Sequence, residues 1–339
     1  MEYPNLLYIG NKLSSAGRTV TSIETLGELL KSEGFTVYMA SSKKNKILRL
    51  LDMMWAVVQH RKKVSYVLID TYSTQNFYYA VAVANVCRLF QLPYVPILRG
   101  GNLPKRLVSS RSQSWKLFGG ALSNVAPSEY LMQKFQSEGF NNLRHIPNSI
   151  ELSNYQFKRR ENVSAKLLWV RSFADIYNPE LALDIVDRLI KEGIDARLCM
   201  VGPDKDGSLK RCKGLAAKRD LPITFTGKLE KKEWIDLAKD YDVFINTTNF
   251  DNTPVSVLEA MALGLPVVTT NVGGIPYLLT HSENAILVNP NEAEPFCNAI
   301  KDFLNHPYKA EQLAHKARLM VENYDWEIVK HSWIELLKA

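Results

Sequence analysis

The sequence predicts a two-domain α/β protein in which helices cover both faces of a parallel sheet in each domain. A length of 339 residues is too great for one ordinary domain and sufficient for two. Short apolar runs rich in β-branched residues alternate with stretches of helical periodicity, which is the pattern of doubly wound sheets. A polar, turn-forming interruption near the middle separates two such series.

The first series predicts a domain over residues 1–152, and polar residues 154–162 are interpreted as a linker. Its candidate strands lie at residues 5–9, 36–40, 64–69, 94–98, 123–126 and 143–146. The second series predicts a domain over residues 163–324. Its candidate strands lie at residues 166–170, 196–201, 223–226, 243–246, 266–269 and 286–288, with helices at 180–191, 233–239, 255–263 and 294–305. Ligands of such sheets bind outside the carboxyl ends of the strands, so we expect a cleft there.

Composition narrows the class of protein. An apolar content of 46% and a charged content of 23% are those of a globular protein with a packed core. The four cysteines are far apart and form no C-x-x-C pair, which predicts buried, reduced thiols and no disulfide or metal site. No apolar run approaches the ~20 residues that span a bilayer, and the first residues lack a signal-peptide layout. We therefore expect a cytoplasmic protein, at most peripheral on the inner face of the membrane.

Basic character is confined to the first half of the chain. The net charge is +7, but residues 1–150 hold 18 basic and 8 acidic residues, a balance of +10, and the rest carries −3. No zinc-finger, RNP-like or helix-turn-helix signature accompanies this charge, so we expect no nucleic acid. An anionic membrane surface or a phosphate-bearing ligand is expected instead. Residues 43–63 have basic flanks and an apolar helical stripe, which predicts either a core-facing helix or a membrane-surface helix. The stripe consists of positions 47, 48, 51, 54, 55 and 58.

The densest chemical signal is the segment 249–276, NFDNTPVSVLEAMALGLPVVTTNVGGIP. Pro254 stands after a strand and a polar loop, where a helix can begin without losing a needed N–H. The free amides of Val255 and Ser256 and the helix dipole then form an anion site suited to a diphosphate. Asp251 in the loop and Glu259 in the helix can each accept hydrogen bonds from vicinal hydroxyls.

This segment resembles the retaining glycosyltransferases of GT-B fold, in particular glycosyltransferase family four (glycosyl transferases group 1). Their hallmark is Glu, seven residues, Glu, then Ala-Met-Ala-x-Gly-x-Pro-Val-Val and a Gly-Gly loop. Here Asp251 stands for the first Glu, Glu259 begins the second block, and Gly273-Gly274 form the loop. The resemblance implies two Rossmann-like domains that face a central cleft, with residues 325–339 packing back on the first domain.

The resemblance also implies roles for individual residues. Arg171 is expected to bind the donor diphosphate, Asp251 the hydroxyls of the sugar and Glu259 those of the ribose. Arg171, Asp251 and Arg99 are thus the predicted catalytic residues. The residues expected to bind the nucleotide sugar are Gly17, Gly202, Gly227, Lys228, Leu229, Pro254, Val255, Ser256 and Glu259.

The chain departs from the family pattern at several places. Where the family has a Lys six residues after the Arg, this chain has Tyr177. Where it often has a His beside the donor sugar, this chain has Arg99, whose permanent charge can compensate for the missing Lys. Tyr277 replaces a frequent Glu. The glycine loop of the first domain has one glycine, Gly17, where two are common.

The expected function is retaining transfer of a sugar from a UDP- or GDP-linked donor to a glycan or lipid-linked acceptor, in cell-surface polysaccharide biosynthesis. We expect no cofactor and no metal, since residues 204–206, an Asp-x-Asp, are interpreted as a solvated turn. Two alternatives remain open. One is a catalytically impaired relative that binds nucleotide sugars or glycans, and the other is a GT-B epimerase of the nucleotide sugar.

Overall fold

The computed structural model describes residues 3–13 and 21–338. The chain divides into two compact units, one formed by Met1–Pro147 with Trp326–Ala339 and the other by Asn148–Asp325. The second unit is one continuous piece, and the last helix belongs to the first unit. Among the described residues, no helix combines the length and the apolar character that crossing a bilayer requires.

The first unit is built on a parallel sheet with the strand order β2-β1-β3-β4-β5-β6. Its strands are β1 (Leu6–Ile9), β2 (Val37–Ala40), β3 (Tyr66–Thr71), β4 (Tyr94–Leu98), β5 (Asn124–Ala126) and β6 (Leu143–His145). Its helices are α1 (Ser22–Ser32), α2 (Lys46–His60), α3 (Asn76–Leu89), α4 (Leu103–Ser109), α5 (Arg111–Ser114), a π-helical turn (Trp115–Gly119), α6 (Glu129–Ser137) and the terminal helix Trp326–Lys338. Side chains alternate along a strand, so Leu7 and Ile9 pack towards α2 and α3, whereas Leu6 and Tyr8 pack towards α1 and the terminal helix.

Helix α2 buries a different face from the one that the apolar stripe indicated. The prediction of a core-facing stripe was wrong for most of its residues. The buried side chains of this helix are Arg49, Met53, Ala56 and Val57. The exposed large apolar side chains are Ile47, Leu48, Leu51 and Trp55. Arg49 can be buried because its guanidinium donates hydrogen bonds to the carbonyls of Lys43 and Lys44, at 2.7 and 2.9 Å.

The second unit is built on a parallel sheet with the strand order β12-β11-β10-β7-β8-β9. Its strands are β7 (Lys166–Val170), β8 (Arg197–Val201), β9 (Ile223–Gly227), β10 (Val243–Asn246), β11 (Val267–Thr270) and β12 (Ile286–Val288). Its helices are α7 (Pro179–Lys191), α8 (Ser208–Lys218), α9 (Lys231–Leu237), α10 (Val255–Ala262), α11 (Ile275–Leu278), α12 (Ala293–Asn305) and α13 (Pro307–Glu322). The winding reverses between β7 and β10, which lie side by side with Leu167 opposite Val243. This reversal creates a crevice at the carboxyl ends of these two strands.

Residues 154–162, interpreted from their polarity as a linker, belong to the second unit, as do residues 148–152, which were predicted in the first domain. The Ile150 amide donates to the Tyr324 carbonyl at 2.9 Å. Arg160 is buried, and its guanidinium donates to the carbonyls of Tyr241 and Leu263 at 2.9 and 3.1 Å. An arginine buried in this way holds a polar segment in place through backbone oxygens, which composition alone does not reveal.

The four cysteines have free thiols and are buried, as their spacing indicated. Burial raises the pKa of Cys87 and of Cys212 to about 12. These thiols therefore stay protonated at neutral pH, and they serve as small apolar core residues.

Candidate functional site

The candidate site lies where the winding of the second sheet reverses. Arg171 is the first residue after β7, and its amide donates to the Val201 carbonyl at 3.0 Å. The loop that carries Asp251 follows β10, the strand beside β7. Adjacent parallel strands end at the same edge of a sheet, so this topology brings two residues 80 positions apart into one crevice.

Arg171 is the cation of this crevice. Its guanidinium forms an ion pair with Asp251, and both side chains are 15% exposed. It also lies over the Tyr177 ring, with 4.3 Å from the guanidinium carbon to the ring centroid. Burial lowers the pKa of Arg171, whereas the neighbouring Tyr177 and Glu259 raise it. Within the described residues its buried Nε has no hydrogen-bond partner, which leaves a donor for an anionic ligand.

Tyr177, at the position where the family has a Lys, therefore acts on Arg171 through its ring. An aromatic face attracts a guanidinium and holds its plane, but it supplies no positive charge. The sequence indicated only that a cation is missing here. The stacking of Tyr177 on Arg171 emerges from the structure.

Glu259 is buried inside α10 and has two partners. The Tyr155 hydroxyl donates to its Oε1 at 2.8 Å, and the Lys231 ammonium pairs with the same oxygen. Burial raises the pKa of Tyr155, and the charge of Glu259 raises it further, so this hydroxyl keeps its proton and remains a donor. The contacts engage Oε1, which orients the carboxylate.

Sequence reasoning missed both partners of Glu259. Tyr155 lies 104 positions away in the segment interpreted as a linker, so no local pattern points to it. Lys231 begins α9, and it follows closely on Gly227, Lys228 and Leu229, which were predicted beside the nucleotide. This closeness in sequence could have indicated that Lys231 lies near Glu259. Lys228 itself pairs with Glu230 at 3.0 Å, and Leu229 packs against the core.

The start of α10 supplies donors to the same crevice. Pro254 precedes the helix in an extended conformation, and the helix begins at Val255, as predicted. The first amides of a helix have no intrahelical acceptor. The hydroxyl of Ser256 is also buried and, in the part of the chain that the structure describes, makes no hydrogen bond. The helix start therefore presents amides and a hydroxyl suited to a phosphate oxygen.

Two glycines let the surrounding loops approach closely. A Cβ at Gly202 would lie 1.8 Å from the Arg171 carbonyl oxygen, so the loop after β8 can pass Arg171 only with glycine there. Gly273 has φ +58, and a Cβ there would lie 2.2 Å from the Asp251 carbonyl oxygen. The Gly274 amide donates to that same carbonyl at 2.8 Å. The Gly-Gly loop thus holds the backbone that carries Asp251.

The Asp-x-Asp at 204–206 forms the turn that begins α8. Asp204 Oδ1 accepts from the Gly207 amide at 2.9 Å, and Asp206 Oδ1 accepts from the Ser208 amide at 3.1 Å. A carboxylate that accepts hydrogen bonds from amides two or three residues on defines an Asx-type turn. These two carboxylates are therefore engaged by their own loop.

Arg99 lies in the first unit, directly after β4. Its Nε donates to Asp70 Oδ1 at 3.1 Å, and its Nη2 donates to the Tyr8 hydroxyl at 3.4 Å. Burial raises the pKa of Asp70, whereas Arg99 and Tyr8 lower it. The sequence did not indicate that Arg99 shares its charge with a buried aspartate. Gly17, also predicted at the site, lies outside the described residues.

The chain is similar to known glycosyltransferases. Residues 154–320 match the model of the family Glycosyl transferases group 1. Sulfoquinovosyl transferase SQD2 of Arabidopsis thaliana is 29% identical over 152 residues, which are 43% of this chain and 29% of that protein. The structure of Anabaena Alr3699/HepE in complex with UDP and glucose aligns with a TM-score of 0.76 at 16% identity, over 99% of this chain and 100% of that one. Sucrose-phosphate synthase from Thermosynechococcus elongatus aligns with a TM-score of 0.80 at 15% identity, over 99% and 98% of the chains.

The likenesses to the solved structures show a GT-B fold, and the expected pair of Rossmann-like domains is confirmed. The matched residues 154–320 lie in the second unit and include Arg171, Asp251 and Glu259. The chain covers only 25% to 51% of the length of the first curated relatives. The family match thus applies to the second unit.

Proposed function

We propose that this protein is a retaining glycosyltransferase of family four that transfers a sugar from a nucleotide-diphosphate donor without a metal ion. The observation that carries the proposal is the grouping of Arg171, Asp251 and Glu259 around the start of α10. One buried cation, free helix amides and two carboxylates are the groups that a diphosphate flanked by two polyhydroxylated rings requires.

Donor binding in this proposal exchanges one partner of Arg171 for another. The diphosphate accepts hydrogen bonds from the Arg171 guanidinium and from the amides of Val255 and Ser256. Asp251, released from its ion pair, accepts hydrogen bonds from the sugar hydroxyls. Glu259 accepts from the ribose hydroxyls while Tyr155 keeps its carboxylate oriented.

The proposed chemistry is a same-face substitution at the anomeric carbon. The bond from that carbon to the β-phosphate oxygen breaks, and a bond to the acceptor hydroxyl oxygen forms on the same face. The departing diphosphate oxygen takes the acceptor proton. Positive charge already fixed at Arg171 and the helix start stabilises the charge that develops on the phosphate, so no metal is needed in this proposal.

Donor, acceptor and location complete the proposal. UDP sugars are the first donors to test, because Anabaena Alr3699/HepE has been solved with UDP and with UDP-glucose; GDP sugars come next. We propose a glycan or lipid-linked acceptor of a cell-surface polysaccharide and a cytoplasmic protein peripheral to an anionic membrane. The basic balance of the first 150 residues supports this location.

The test begins with thermal stabilisation by a panel of nucleotide sugars, followed by calorimetry on the best ligand. Glu259→Ala should weaken binding by roughly 2–5 kcal/mol, because two charge-assisted hydrogen bonds to the ribose are lost. Glu311→Ala is the matched control, since Glu311, on α13, pairs with Arg159. Equal affinity of the Glu259 variant and the wild type would remove Glu259 from the site.

Product analysis separates the proposed transferase from its alternatives. Nucleoside diphosphate release that depends on the acceptor, persists in chelator and yields a product with the donor's anomeric configuration supports the proposal. Binding without release would identify an impaired relative, a possibility that the replacement of the usual Lys by Tyr177 favours. Formation of an epimeric nucleotide sugar or an inverted product would contradict the proposed reaction.

A further inference from the structure

The outer face of α2 is an exposed apolar surface in an otherwise well-packed unit. Ile47 is 72% exposed, Trp55 63%, and Leu48 and Leu51 56% each. At about 100° per residue these four positions fall within roughly 100° of the helix circumference, opposite the side that packs on the sheet. Four adjacent large apolar side chains in water mark a surface that contacts something else.

The residues that flank this apolar row are basic. Lys43, Lys44 and Lys46 stand at the start of α2, and all three are exposed. Among the described residues none of the three forms an ion pair with a carboxylate. At the other end of the helix, the exposed residues 61–63 are Arg-Lys-Lys. An apolar row between two cationic ends is the arrangement of a helix that lies in a membrane interface.

The chain around α2 is depleted in negative charge. From Gly34 to Ser128 the sequence holds 13 Lys and Arg residues and two acidic ones, Asp52 and Asp70. Asp70 is buried in its pair with Arg99, so it offers little repulsion at the surface. Asp52 is then the one acidic side chain of this stretch that is partly exposed. Positive charge therefore prevails there, and it attracts an anionic membrane surface.

We propose that the outer face of α2 docks on a bilayer that contains anionic lipids, with Leu48, Leu51 and Trp55 inserted among the headgroups. Charge complementarity favours this occupant over a protein, because protein interfaces are depleted in lysine whereas anionic lipids attract it. Docking would bring the first unit to a lipid-linked acceptor, and in this respect it rests on the proposed function.

Vesicle sedimentation with the full chain tests the electrostatic part. The protein should bind vesicles of phosphatidylcholine with phosphatidylglycerol, should not bind phosphatidylcholine alone, and should dissociate as salt rises. Replacing Lys43, Lys44 and Lys46 by Glu should weaken partition at least about a hundredfold, since each lysine near an anionic surface strengthens binding about fivefold. The control replaces Lys210, Lys213 and Lys218 of α8 by Glu, which changes the net charge equally.

Insertion is tested separately. Leu51→Gln with Trp55→Gln should weaken partition at least about tenfold, and Leu319→Gln, on an exposed position of α13, should not. Lipids with brominated acyl chains should quench tryptophan fluorescence in the wild type, and the quenching should be lost in Trp55→Phe. The five other tryptophans are common to both proteins and cancel in this comparison.

Three outcomes would overturn the proposal. The first is negligible or equal sedimentation with both vesicle types at low salt. The second is equal loss of binding in the variants and their matched controls. The third is a concentration-dependent dimer that the α2 variants abolish, which would make a second copy the occupant. Nucleotide affinity measured on the same variants separates the two proposals, because it should be unchanged when vesicle binding is lost.

Discussion

The two units each place an Arg–Asp pair at the carboxyl edge of a parallel sheet, and the two pairs differ in a revealing way. In the first unit Arg99 pairs with Asp70, and the two side chains are 12% and 1% exposed. In the second unit Arg171 pairs with Asp251, and both are 15% exposed. Asp70 belongs to a strand, whereas Asp251 belongs to a loop. The backbone of Asp70 is therefore held in the ladder of β3, whereas that of Asp251 lies outside any strand.

This difference separates a pair enclosed in a buried network from a pair whose guanidinium keeps an unpartnered donor. Tyr8 donates to Asp70 at 2.9 Å and also contacts Arg99, so the first pair belongs to a buried network. The Arg171–Asp251 pair has a buried guanidinium Nε without a partner among the described residues. In the proposed donor complex, an anion that takes the place of Asp251 at Arg171 would also accept a hydrogen bond from this Nε.

The largest expected effect distinguishes the two aspartates by stability. Asp70→Ala should lower the free energy of unfolding by about 3 kcal/mol, because Arg99 is left as a buried cation without its carboxylate. Asp251→Ala should lower it by less, because the Tyr177 ring and the charge of Glu259 still stabilise the Arg171 cation, and in the proposed reaction it should abolish turnover. Chemical denaturation of both variants checks this. Asp236→Ala is the control, because Asp236 forms an exposed ion pair with Lys239. Equal stability losses at Asp70 and Asp251 would erase the distinction between the pairs.

The second effect concerns Arg171, the arginine of the pair in the second unit. Arg171→Ala should reduce turnover by roughly a hundredfold to a thousandfold, because in the proposed reaction it removes the charge that stabilises the leaving phosphate. Arg171→Lys should recover only part of the lost turnover. An ammonium cannot stack as a plane on the Tyr177 ring, and it cannot bind two phosphate oxygens in a bidentate way. Single-turnover kinetics at saturating donor measure the loss. A change in KM alone would place Arg171 in ground-state binding only.

Much of the fold was predictable because parallel strands leave a local signature. The strands at 94–98, 166–170 and 243–246 were predicted with the bounds that the structure has, since each is a short apolar run between turn residues. Helix α10 was predicted from Pro254 and the periodicity after it. Helices α4, α5 and α8 were not predicted, because their apolar residues are few and their sequences are rich in Ser and Lys.

The orientation of α2 and the partners of Glu259 could not be predicted for a different reason. The sequence of α2 is apolar on two sides, so periodicity does not tell which side meets the sheet. Burial of Arg49 decides it, and that burial depends on carbonyls fixed by the tertiary fold. Tyr155 likewise meets Glu259 only after the chain has folded. Local sequence patterns identify helices, strands and motifs. Long-range contacts determine which face of a helix is buried and which side chains meet.

A smaller effect follows from the hydrogen bond between Tyr155 and Glu259. Tyr155→Phe keeps the buried ring and removes only the hydroxyl that orients the carboxylate. Nucleotide affinity should fall by about 1 kcal/mol, which is the contribution of one hydrogen bond. The loss is no larger because Glu259 keeps its other partner, Lys231. Calorimetry on the folded variant measures it, with Tyr308→Phe, an exposed tyrosine of α13, as the control. An unchanged affinity would mean that Lys231 alone orients Glu259.

The smallest effect is expected at Tyr177, which distinguishes the Arg171 pair from that of the family. Tyr177→Lys removes the ring that lies 4.3 Å from the guanidinium carbon and adds a second cation beside the expected diphosphate. A cation–π contact and an added charge are each worth about 1 kcal/mol, so the two changes oppose each other. Donor affinity should stay equal or rise within about 1 kcal/mol, with a steeper dependence on salt.

Tyr177→Phe serves as the control for Tyr177→Lys, because it keeps the ring and adds no charge. Its affinity and its salt dependence should both match the wild type. Binding lost in Tyr177→Lys with an unchanged melting temperature would show that position 177 contacts something other than phosphate. In that case the ring of Tyr177 would itself be part of the ligand site, and the stack on Arg171 would be a feature of recognition that the family pattern lacks.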